Sequence, residues 1–337
     1  TGKMNNKMTE KTVVVTCAAP ATVRRAVDDG LDGAGKAVFL DDVPAEKRGE
    51  TLASAAAIMS FFFNKEVREE EYPLLENVAL FQSISTGLDF LPFRSMPKKM
   101  VLACNAGGWA PQIAEHTVAL LLALARRIVP LHNDLMKGAF SRHAYSPASL
   151  RGKVLTVVGY GGIGRRTAEL LRPFGMQIYA LNTSGRTSDP VHFMGTLKEL
   201  PEILPETDVL LLSLPLDKHT RGLVGKRELD LMKKNAILLN VARAPLVVEQ
   251  DLYEHLKANP EFQAGFDVWW KEPTWGGGDF ALDYPFLELP NVVGSPHNSN
   301  RCENDMEDAT RAAAANVAAF FSGEKIGGVI RREDYIE

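Results

Sequence analysis

The sequence predicts two α/β domains, each built on a doubly wound parallel sheet. Short β-rich runs alternate with helical runs along almost the whole chain. Most of these runs are continuously apolar, which is typical of parallel strands buried on both faces. The length of 337 residues suits two domains of ordinary size, and 45% hydrophobic residues suffice for two cores.

Five strand-like runs precede residue 108. In chain order they are KTVVVTCAA, AVFLDD, AAIMSFFF, VALFQSIS and MVLACNA. Helices over PATVRRAVDDGL and around EKRGETLASA can cover this sheet. The acidic segment over residues 66–72 is expected to be a solvated helix end or loop.

A long helix, PQIAEHTVALLLALARRIV, leads into the second unit, and Pro111 fits its first turn. The later strand-like runs are VLTVVGY, QIYALN, DVLLLSL, AILLNVA, FQAGFDVW and NVVGSPH, with helices over TAELLRPFG and EQDLYEHLKAN. A final helix, ENDMEDATRAAAANVAAFFSG, is expected to stop at Gly323.

The composition argues against several partners. The net charge is −4 with no long basic run, which disfavours nucleic acid. The longest apolar run, residues 117–125, is too short to span a membrane, and the start TGKMNNKMTEK resembles no signal peptide. Cys17, Cys104 and Cys302 lack metal-ligand spacing, so we expect reduced thiols, a cytosol-like compartment and no metal site.

A glycine turn opens the second unit. In VLTVVGYGGIGRRTAELL an apolar strand leads to Gly159, Gly161 and Gly164, which fill the G-x-G-x-x-G pattern before a helix. The first glycine permits a tight turn, the second lets the backbone approach a pyrophosphate, and the third lets helix and strand pack closely. The helix N-terminus adds free N–H groups and a positive dipole end. The segment therefore predicts dinucleotide binding.

The position that separates NAD from NADP carries no acid. Asn182 stands where an aspartate usually holds the adenosine ribose. An aspartate would repel a 2′-phosphate, whereas Thr183, Ser184 and Arg186 could hold it, the arginine by a charge-assisted pair. NADP(H) is therefore favoured over NAD(H). The alternative is a solvated Arg186, with Asn182 accepting NAD less tightly.

Titratable or charged residues follow three later strand-like runs. Arg243 follows AILLNVA, Asp267 and Glu272 follow FQAGF, and His297 follows NVVG. Because the carboxyl ends of strands form the ligand crevice of an open α/β sheet, these side chains could converge. In the reduction of a 2-keto acid, arginine can bind the carboxylate and polarise the keto oxygen. Histidine can protonate the alkoxide, and a nearby glutamate can keep that histidine charged.

From about residue 75 the sequence resembles the D-isomer-specific 2-hydroxyacid dehydrogenase family. The resemblance lies in SISTGLDFL, in CNAGGWAPQIAEHTVALLLALAR and, most recognisably, in DVLLLSLPLDKHTRGLVGKRELDLMKKNAILLNVAR. It implies that Arg243, Glu272 and His297 are the catalytic residues. It also implies hydride transfer between NAD(P)H and a small 2-keto acid such as glyoxylate or hydroxypyruvate, giving a D-2-hydroxy acid.

The same resemblance implies further site residues. The backbone N–H groups of Thr86 and Gly87 would receive the substrate carboxylate, and Asn105 is a further candidate substrate contact. Asp267 would lie near the nicotinamide carboxamide. The candidate cofactor contacts are Gly159, Gly161, Gly162, Ile163, Gly164, Asn182, Thr183, Ser184, Arg186, Pro215, Val241, Ala242 and Asp267.

The family also implies a domain arrangement. A Rossmann nucleotide domain, residues 109–302, would be inserted into a flavodoxin-like substrate domain, residues 1–108 and 303–337. The domains would close about hinges near residues 108 and 303. A homodimer would form through the nucleotide domain.

Several positions depart from the family's pattern. Ala244 and Pro245 follow Arg243 where a glycine is usual, and Trp269 and Trp270 stand where Phe and a smaller or polar residue are common. The letters PHNSN replace the usual His–Ile–Gly continuation. These changes remove no catalytic group, but they leave the identity of the substrate open.

Three other functions share this fold. A phosphoglycerate dehydrogenase is less favoured because no further domain follows the last helix of this sequence. A formate dehydrogenase is disfavoured because it works without the same Glu–His pair. A dinucleotide-sensing corepressor is expected to carry extra partner-binding segments, which the sequence does not show.

Overall fold

The computed structural model describes residues 11–273 and 278–336; the start of the chain, for which no signal peptide is expected, lies mostly outside them. The chain forms two compact units, Thr1–Trp109 with Glu303–Glu337 (unit 1) and Ala110–Cys302 (unit 2). Each unit has its own parallel sheet, and this confirms the predicted fold class.

All strand pairs of both sheets are parallel. The strands are β1 (Thr12–Val15), β2 (Lys36–Phe39), β3 (Ala57–Ser60), β4 (Leu80–Ser83), β5 (Val101–Ala103), β6 (Val154–Val158), β7 (Gln177–Leu181), β8 (Phe193–Gly195), β9 (Val209–Leu212), β10 (Ile237–Asn240), β11 (Gln263–Phe266) and β12 (Val292–Gly294).

The α-helices of the described residues alternate with the strands, except that none lies between β4 and β5, β7 and β8 or β11 and β12, and α4 and α5 are consecutive. They are α1 (Ala21–Leu31), α2 (Arg48–Ala53), α3 (Phe63–Glu66), α4 (Ala110–Ala125), α5 (Ile128–Met136), α6 (Gly162–Leu171), α7 (Leu200–Ile203), α8 (Lys226–Leu231), α9 (Glu249–Ala258) and α10 (Asp305–Phe321).

The sheet of unit 1 has the order β2-β1-β3-β4-β5, the flavodoxin-like arrangement. Strands β1, β3 and β4 are almost wholly buried, as predicted. Strand β2 is only partly buried because it lies at the edge of the sheet. The prediction of burial on both faces is wrong for this strand.

The C-terminal helix α10 packs on α1 and thereby belongs to the N-terminal unit. A Cβ atom on Gly30 would lie 2.4 Å from the carbonyl oxygen of Arg311, so the glycine allows the two helices to approach closely. Gly323 follows α10 with φ +74°, which confirms the predicted stop.

The sheet of unit 2 has the order β8-β7-β6-β9-β10-β11-β12, an extended form of the classic Rossmann order. Strand β8 was not predicted, because its three residues, FMG, are too few to form a periodic pattern. The strand order reverses between β6 and β9. The glycine turn directly follows β6 and so lies at this switch point.

The predicted long helix through residue 129 is interrupted. Helix α4 ends at Ala125, and Arg127 adopts the left-handed conformation with φ +54° before α5 begins. The N–H of Arg127 donates to the carbonyl of Leu124 at 2.9 Å, a tight turn that ends α4. Apolar periodicity continues across this break, so the sequence pattern does not reveal it.

The acidic segment of unit 1 is not simply solvated. Glu71 is 7% exposed and forms a two-pronged pair with Arg48, Nε–Oε1 2.6 Å and Nη2–Oε2 3.0 Å. This hydrogen-bonded pairing with Arg48 lowers the pKa of Glu71, although partial burial opposes it. The expectation of a solvated loop is therefore wrong for Glu71, whose charge stabilises the turn around Arg68.

Candidate functional site

The three fingerprint glycines occupy three different environments. Gly159 has φ +97°, and a Cβ atom there would lie 2.5 Å from the carbonyl oxygen of Ser213. A Cβ atom on Gly164 would lie 2.5 Å from the carbonyl oxygen of Gly159. A Cβ atom on Gly161 would meet nothing within 4 Å. The first and third glycines are thus required by packing, whereas Gly161 keeps open a space in front of the backbone.

Helix α6 begins at Gly162, immediately after that open space, so Gly162, Ile163 and Gly164 form its first turn. The N–H groups of a first helical turn have no partner within the helix, and they carry the positive end of its dipole. Open space before a helix N-terminus is the arrangement that accepts a pyrophosphate. The residues therefore fit a dinucleotide.

Asn182 shapes the loop that follows β7. Its Oδ1 accepts the N–H of Ser184 at 3.0 Å and the N–H of Gly185 at 2.8 Å, and its Nδ2 donates to the carbonyl of Arg186 at 2.9 Å. Thr183, Ser184 and Arg186 are exposed on this loop. Within the described part of the chain, the Arg186 guanidinium makes no hydrogen bond or ion pair.

The one carboxylate of the segment 182–189 is paired with a residue of α6. Arg165 contacts Asp189 through Nε and Nη2, both at 2.8 Å. This hydrogen bonding lowers the pKa of Asp189. The pair compensates the only negative charge of the loop, so the remaining exposed charge there is the guanidinium of Arg186.

Strand β10 ends in a buried asparagine that the sequence analysis did not single out. Asn240 is fully buried; its Nδ2 donates to the carbonyl of Arg243 at 2.9 Å, and its Oδ1 accepts the N–H of Ala242 at 3.1 Å. These bonds fix the loop that carries Val241, Ala242 and Arg243. The half-buried Arg243 side chain also donates from Nη1 to the carbonyl of Ala242 at 2.8 Å. In the loop that follows the adjacent strand β9, Pro215 is exposed.

Glu272 and His297 form a contact between the segments that follow β11 and β12. The Nδ1 atom of His297 lies 2.6 Å from Oε2 of Glu272. Both side chains are partly exposed, at 33% for His297 and 28% for Glu272. No described residue hydrogen bonds to Nε2 of His297, so this nitrogen can meet a ligand.

Asp267 holds the turn on which His297 stands. The aspartate is fully buried, and its oxygens accept the hydroxyl of Ser295 at 2.6 Å and the N–H groups of Asn298 and Ser299, each at 3.0 Å. His297 has φ +50°, a conformation that is unfavourable for a residue with a side chain. The buried carboxylate therefore stabilises the strained turn and fixes the direction of the imidazole.

His116 of α4 extends this network and was not expected from the sequence. Its Nε2 lies 2.8 Å from Oγ of Ser295 and 3.8 Å from Oδ1 of Asp267. Because the single hydroxyl hydrogen of Ser295 points to Asp267, Nε2 of His116 has to carry a hydrogen and donate it to Ser295. A histidine inside the apolar helix run EHTVALLLA is the signal that could have indicated this contact.

An open cavity of about 560 Å³ lies beside the Glu272–His297 pair. Its walls are mostly apolar and come from unit 2. They include Trp269, whose indole N–H donates to the carbonyl of Ser295 at 2.9 Å, and Phe280, which packs edge-on against Trp269. A Cβ atom on Gly294 would lie 2.3 Å from the Trp269 ring, so Trp269 can occupy this position only beside a glycine.

In unit 1 the candidate substrate loop follows β4. Thr86 and Gly87 are partly exposed, and Thr86 lies 3.4 Å from the carbonyl of Asn105. Asn105 itself is buried, and its Nδ2 donates to the carbonyls of Ile84 at 2.9 Å and Ala309 at 2.8 Å. Both amide hydrogens of Asn105 are thus engaged, so its buried side chain stabilises the loop.

Comparison with known proteins finds a matching family and several similar proteins. Residues 118–299 match the family described as D-isomer specific 2-hydroxyacid dehydrogenase, NAD binding domain. The glyoxylate reductase of Aeropyrum pernix is 34% identical over 258 residues, covering 74% of this chain and 75% of that protein.

Two further relatives extend the comparison. The D-3-phosphoglycerate dehydrogenase of Methanocaldococcus jannaschii is 30% identical over 258 residues, 76% of this chain; the matched region spans 48%, about half, of that protein. The crystal structure of a glycerate dehydrogenase related protein from Thermoplasma acidophilum is 30% identical and superposes with a TM-score of 0.61. That match covers 92% of this chain and 99% of the other.

Among the helices of the described residues, none has the length and apolar character that crossing a bilayer requires.

Proposed function

Because the chain belongs to the D-isomer specific 2-hydroxyacid dehydrogenase family, we propose that it reduces a small 2-keto acid to a D-2-hydroxy acid, reversibly, with a nicotinamide cofactor. Glyoxylate and hydroxypyruvate are the first candidates, since relatives are named as reductases of these acids. The contact between Glu272 and His297, with Nε2 of the histidine open, carries this proposal.

The proposed roles follow from the chemistry of each side chain. A reduced nicotinamide, when bound, supplies the hydride. Protonated His297 gives its Nε2 proton to the developing alkoxide, while Glu272 stabilises the imidazolium through Nδ1. Arg243 binds the carboxylate and polarises the keto oxygen. Strands β10, β11 and β12 are neighbours in the sheet, so the loops that carry these three residues follow adjacent strand ends.

In the proposed reaction, the backbone N–H groups of Thr86 and Gly87 bind the substrate carboxylate together with Arg243. Asn105 acts through the loop that it supports. Asp267 holds the His297 turn, and it would lie near the carboxamide of a bound nicotinamide. Unit 1 would thus be the substrate domain and unit 2 the nucleotide domain.

We propose NADP(H) as the preferred cofactor. The loop after β7 has an amide in place of the ribose-binding acid, and its single acid, Asp189, is compensated by Arg165. A 2′-phosphate would meet the exposed hydroxyls of Thr183 and Ser184 and the guanidinium of Arg186. Charge-assisted bonds of this type favour a phosphate over a hydroxyl.

We also propose a homodimer through unit 2 and a reducing, cytosol-like compartment. Four large apolar side chains on and after α5 are well exposed, at 55% for Ile128, 56% for Leu135, 75% for Met136 and 76% for Phe140. Such a surface is typical of a protein interface. Among the described residues, Cys17 and Cys104 form no disulfide, in keeping with a reducing environment.

Steady-state kinetics test the proposed function. NADPH and NADH oxidation is measured with glyoxylate, hydroxypyruvate and 3-phosphohydroxypyruvate, the last because one matched relative is a phosphoglycerate dehydrogenase. We expect turnover that falls roughly 10²- to 10⁴-fold in His297→Ala and is retained in His143→Ala, an exposed histidine. Cofactor binding without turnover of any keto acid would instead favour a dinucleotide-binding protein, such as a corepressor.

A further inference from the structure

The ligand crevice of unit 1 can be located from its topology. In the sheet of unit 1, β2 lies on one side of β1 and β3 lies on the other, so the order of the strands reverses at β1. Ligands of open α/β sheets bind at such a switch point, outside the carboxyl ends of the two central strands. The segments that flank this crevice are those that follow β1 and β3. The segment after β3 begins with three consecutive phenylalanines.

Glu66 fixes the backbone at this point. Its Oε1 accepts the N–H of Phe62 at 2.6 Å. Its Oε2 accepts the N–H of Phe61 at 3.2 Å and the hydroxyls of Ser60 at 2.7 Å and Thr16 at 2.6 Å. Four donors thus compensate the carboxylate charge and connect the ends of β1 and β3. The crevice therefore presents a rigid backbone and not a free anion.

Aromatic rings line the same edge. Phe61 contacts Phe62 with ring centroids 4.4 Å apart and Trp109 at 6.1 Å, and Phe62 contacts Phe90 at 6.2 Å. We call these four residues the aromatic wall. The rings of Phe61, Phe62 and Phe90 are partly exposed, whereas Trp109 is buried. A group of partly exposed rings on a fixed backbone is an apolar surface that a ligand can contact.

The aromatic wall is joined to the loop that carries Thr86. The indole N–H of Trp109 donates to the carbonyl of Ile84 at 2.8 Å, two residues before Thr86. In the proposed function, the N–H groups of Thr86 and Gly87 bind the substrate carboxylate. A substrate held there would carry its C3 substituent next to this wall.

The edge offers little to a charged or strongly polar substituent. The segments directly after β1, β4 and β5, which read TCAAP, ISTGL and CNAGG, contain no Lys, Arg or His, and the segment after β3, FFFNK, has one cation, the exposed Lys65. Burial raises the pKa of Cys17 to about 12 and of Cys104 to about 11, so both thiols are neutral at physiological pH. A C3 phosphate would lose hydration against the rings, with Lys65 as the one cation in these four segments.

We propose that the enzyme's preferred substrates are 2-keto acids with a bulky apolar C3 substituent, aryl or branched alkyl, which packs against Phe61, Phe62 and Phe90. This inference rests on the proposed function and narrows its substrate class away from hydroxypyruvate and phosphohydroxypyruvate. Burial of a phenyl ring against such a wall favours it over a hydroxymethyl group by roughly 10- to 100-fold in kcat/KM.

The test compares kcat/KM of the protein for phenylpyruvate, 4-methyl-2-oxopentanoate, hydroxypyruvate and glyoxylate, which has no C3. We expect both apolar acids to exceed hydroxypyruvate by about 10-fold or more. In Phe61→Ala and Phe62→Ala the ratio of phenylpyruvate to glyoxylate should fall by about 10-fold. If the alanine variant does not fold, Phe61→Leu is used instead, because it removes the ring but keeps most of the apolar volume. Phe174→Ala removes an exposed ring of unit 2 and should leave the ratio unchanged.

The outcomes separate this inference from the proposed function. Reduction of glyoxylate with hydroxypyruvate equal to or better than phenylpyruvate overturns the aromatic preference and leaves the dehydrogenase proposal standing. Turnover of no acid overturns the dehydrogenase proposal, and calorimetric titration then decides the preference. Phenylpyruvate binding that is weakened in Phe61→Ala supports an aryl site. Equal or absent binding of phenylpyruvate and hydroxypyruvate overturns it.

Discussion

Nδ1 of His297 lies 2.6 Å from Oε2 of Glu272, in a turn where His297 itself has φ +50°. A carboxylate at Nδ1 requires a hydrogen on that nitrogen, so in the neutral imidazole Nε2 bears the lone pair. The same nitrogen is then the acceptor for oxidation of a hydroxy acid and, when protonated, the donor for reduction of a keto acid. One contact thus prepares the histidine for both directions.

Replacing Glu272 by Gln should slow keto-acid reduction. The carboxylate contacts Nδ1 of His297 at 2.6 Å and makes a charge-assisted bond to the imidazole when that ring donates its proton from Nε2; a neutral amide makes a weaker one. We expect kcat to fall roughly 10- to 100-fold while the KM for the cofactor changes little. The rate should be measured with saturating cofactor, with Glu254→Gln as a control. An unchanged kcat would mean that Glu272 does not act on the proton donor.

Ser295→Ala tests the network behind the histidine. The substitution removes the hydroxyl between His116 and Asp267 but leaves the two backbone N–H groups that Asp267 accepts. Because the His297 turn loses part of its support, we expect kcat to fall roughly 10-fold while the cofactor Kd changes little. Ser295→Thr, which restores a hydroxyl, should recover most of the rate. Equal rates in all three proteins would exclude a positioning role for this contact.

Arg186→Ala tests the choice of cofactor. Loss of one charge-assisted contact to a 2′-phosphate should raise the KM for NADPH by about 10-fold and leave the KM for NADH nearly unchanged. Arg166→Ala, which removes an exposed arginine of α6, serves as the control. If the KM values for NADPH and NADH change together, or if neither changes, Arg186 does not bind the 2′-phosphate.

The glycine turn separates stability from cofactor binding. In Gly164→Ala the added carbon would lie 2.5 Å from a backbone oxygen, so we expect a loss of about 2 kcal/mol and a fall in Tm of roughly 4–8 °C. In Gly161→Ala the added carbon enters open space, so Tm should be unchanged. The affinity for NADPH should fall about 10-fold, because the carbon would occupy the space through which the pyrophosphate approaches the backbone. Thermal unfolding and fluorescence titration measure both. The reverse pattern would contradict the proposed phosphate position.

Glu71→Gln should destabilise the protein in a pH-dependent way. Because the folded-state pKa of Glu71 is lowered, its stabilising contribution is complete above the unfolded value, about 4.3, and disappears as the pH falls through the lower folded value. We expect a loss of about 2 kcal/mol at pH 7 that shrinks toward pH 3. Urea unfolding at both pH values checks this. Glu70→Gln, at the exposed neighbouring residue, is the control. An equal loss of stability in this variant would show that the Arg48–Glu71 pair contributes nothing.

Much of the fold could be read from local patterns. Continuous apolar runs identify eleven of the twelve strands, because most of these strands are buried on both faces and have few polar positions. Strand β8 escaped because its three residues give no period. The break at Arg127 escaped because an isolated left-handed residue leaves the apolar spacing on both sides intact.

The sequence by itself determined the two α/β units, the glycine turn and the types of residue at the strand ends, since these depend on short-range periodicity and spacing. Only the tertiary structure decided how those residues are held. The buried carboxylate of Asp267, the contact of His116 with Ser295 and the four bonds to Glu66 join residues that lie from 4 to 179 positions apart. Such contacts depend on where parallel strands end side by side, and that register is fixed by packing of the whole sheet rather than by any local run of residues.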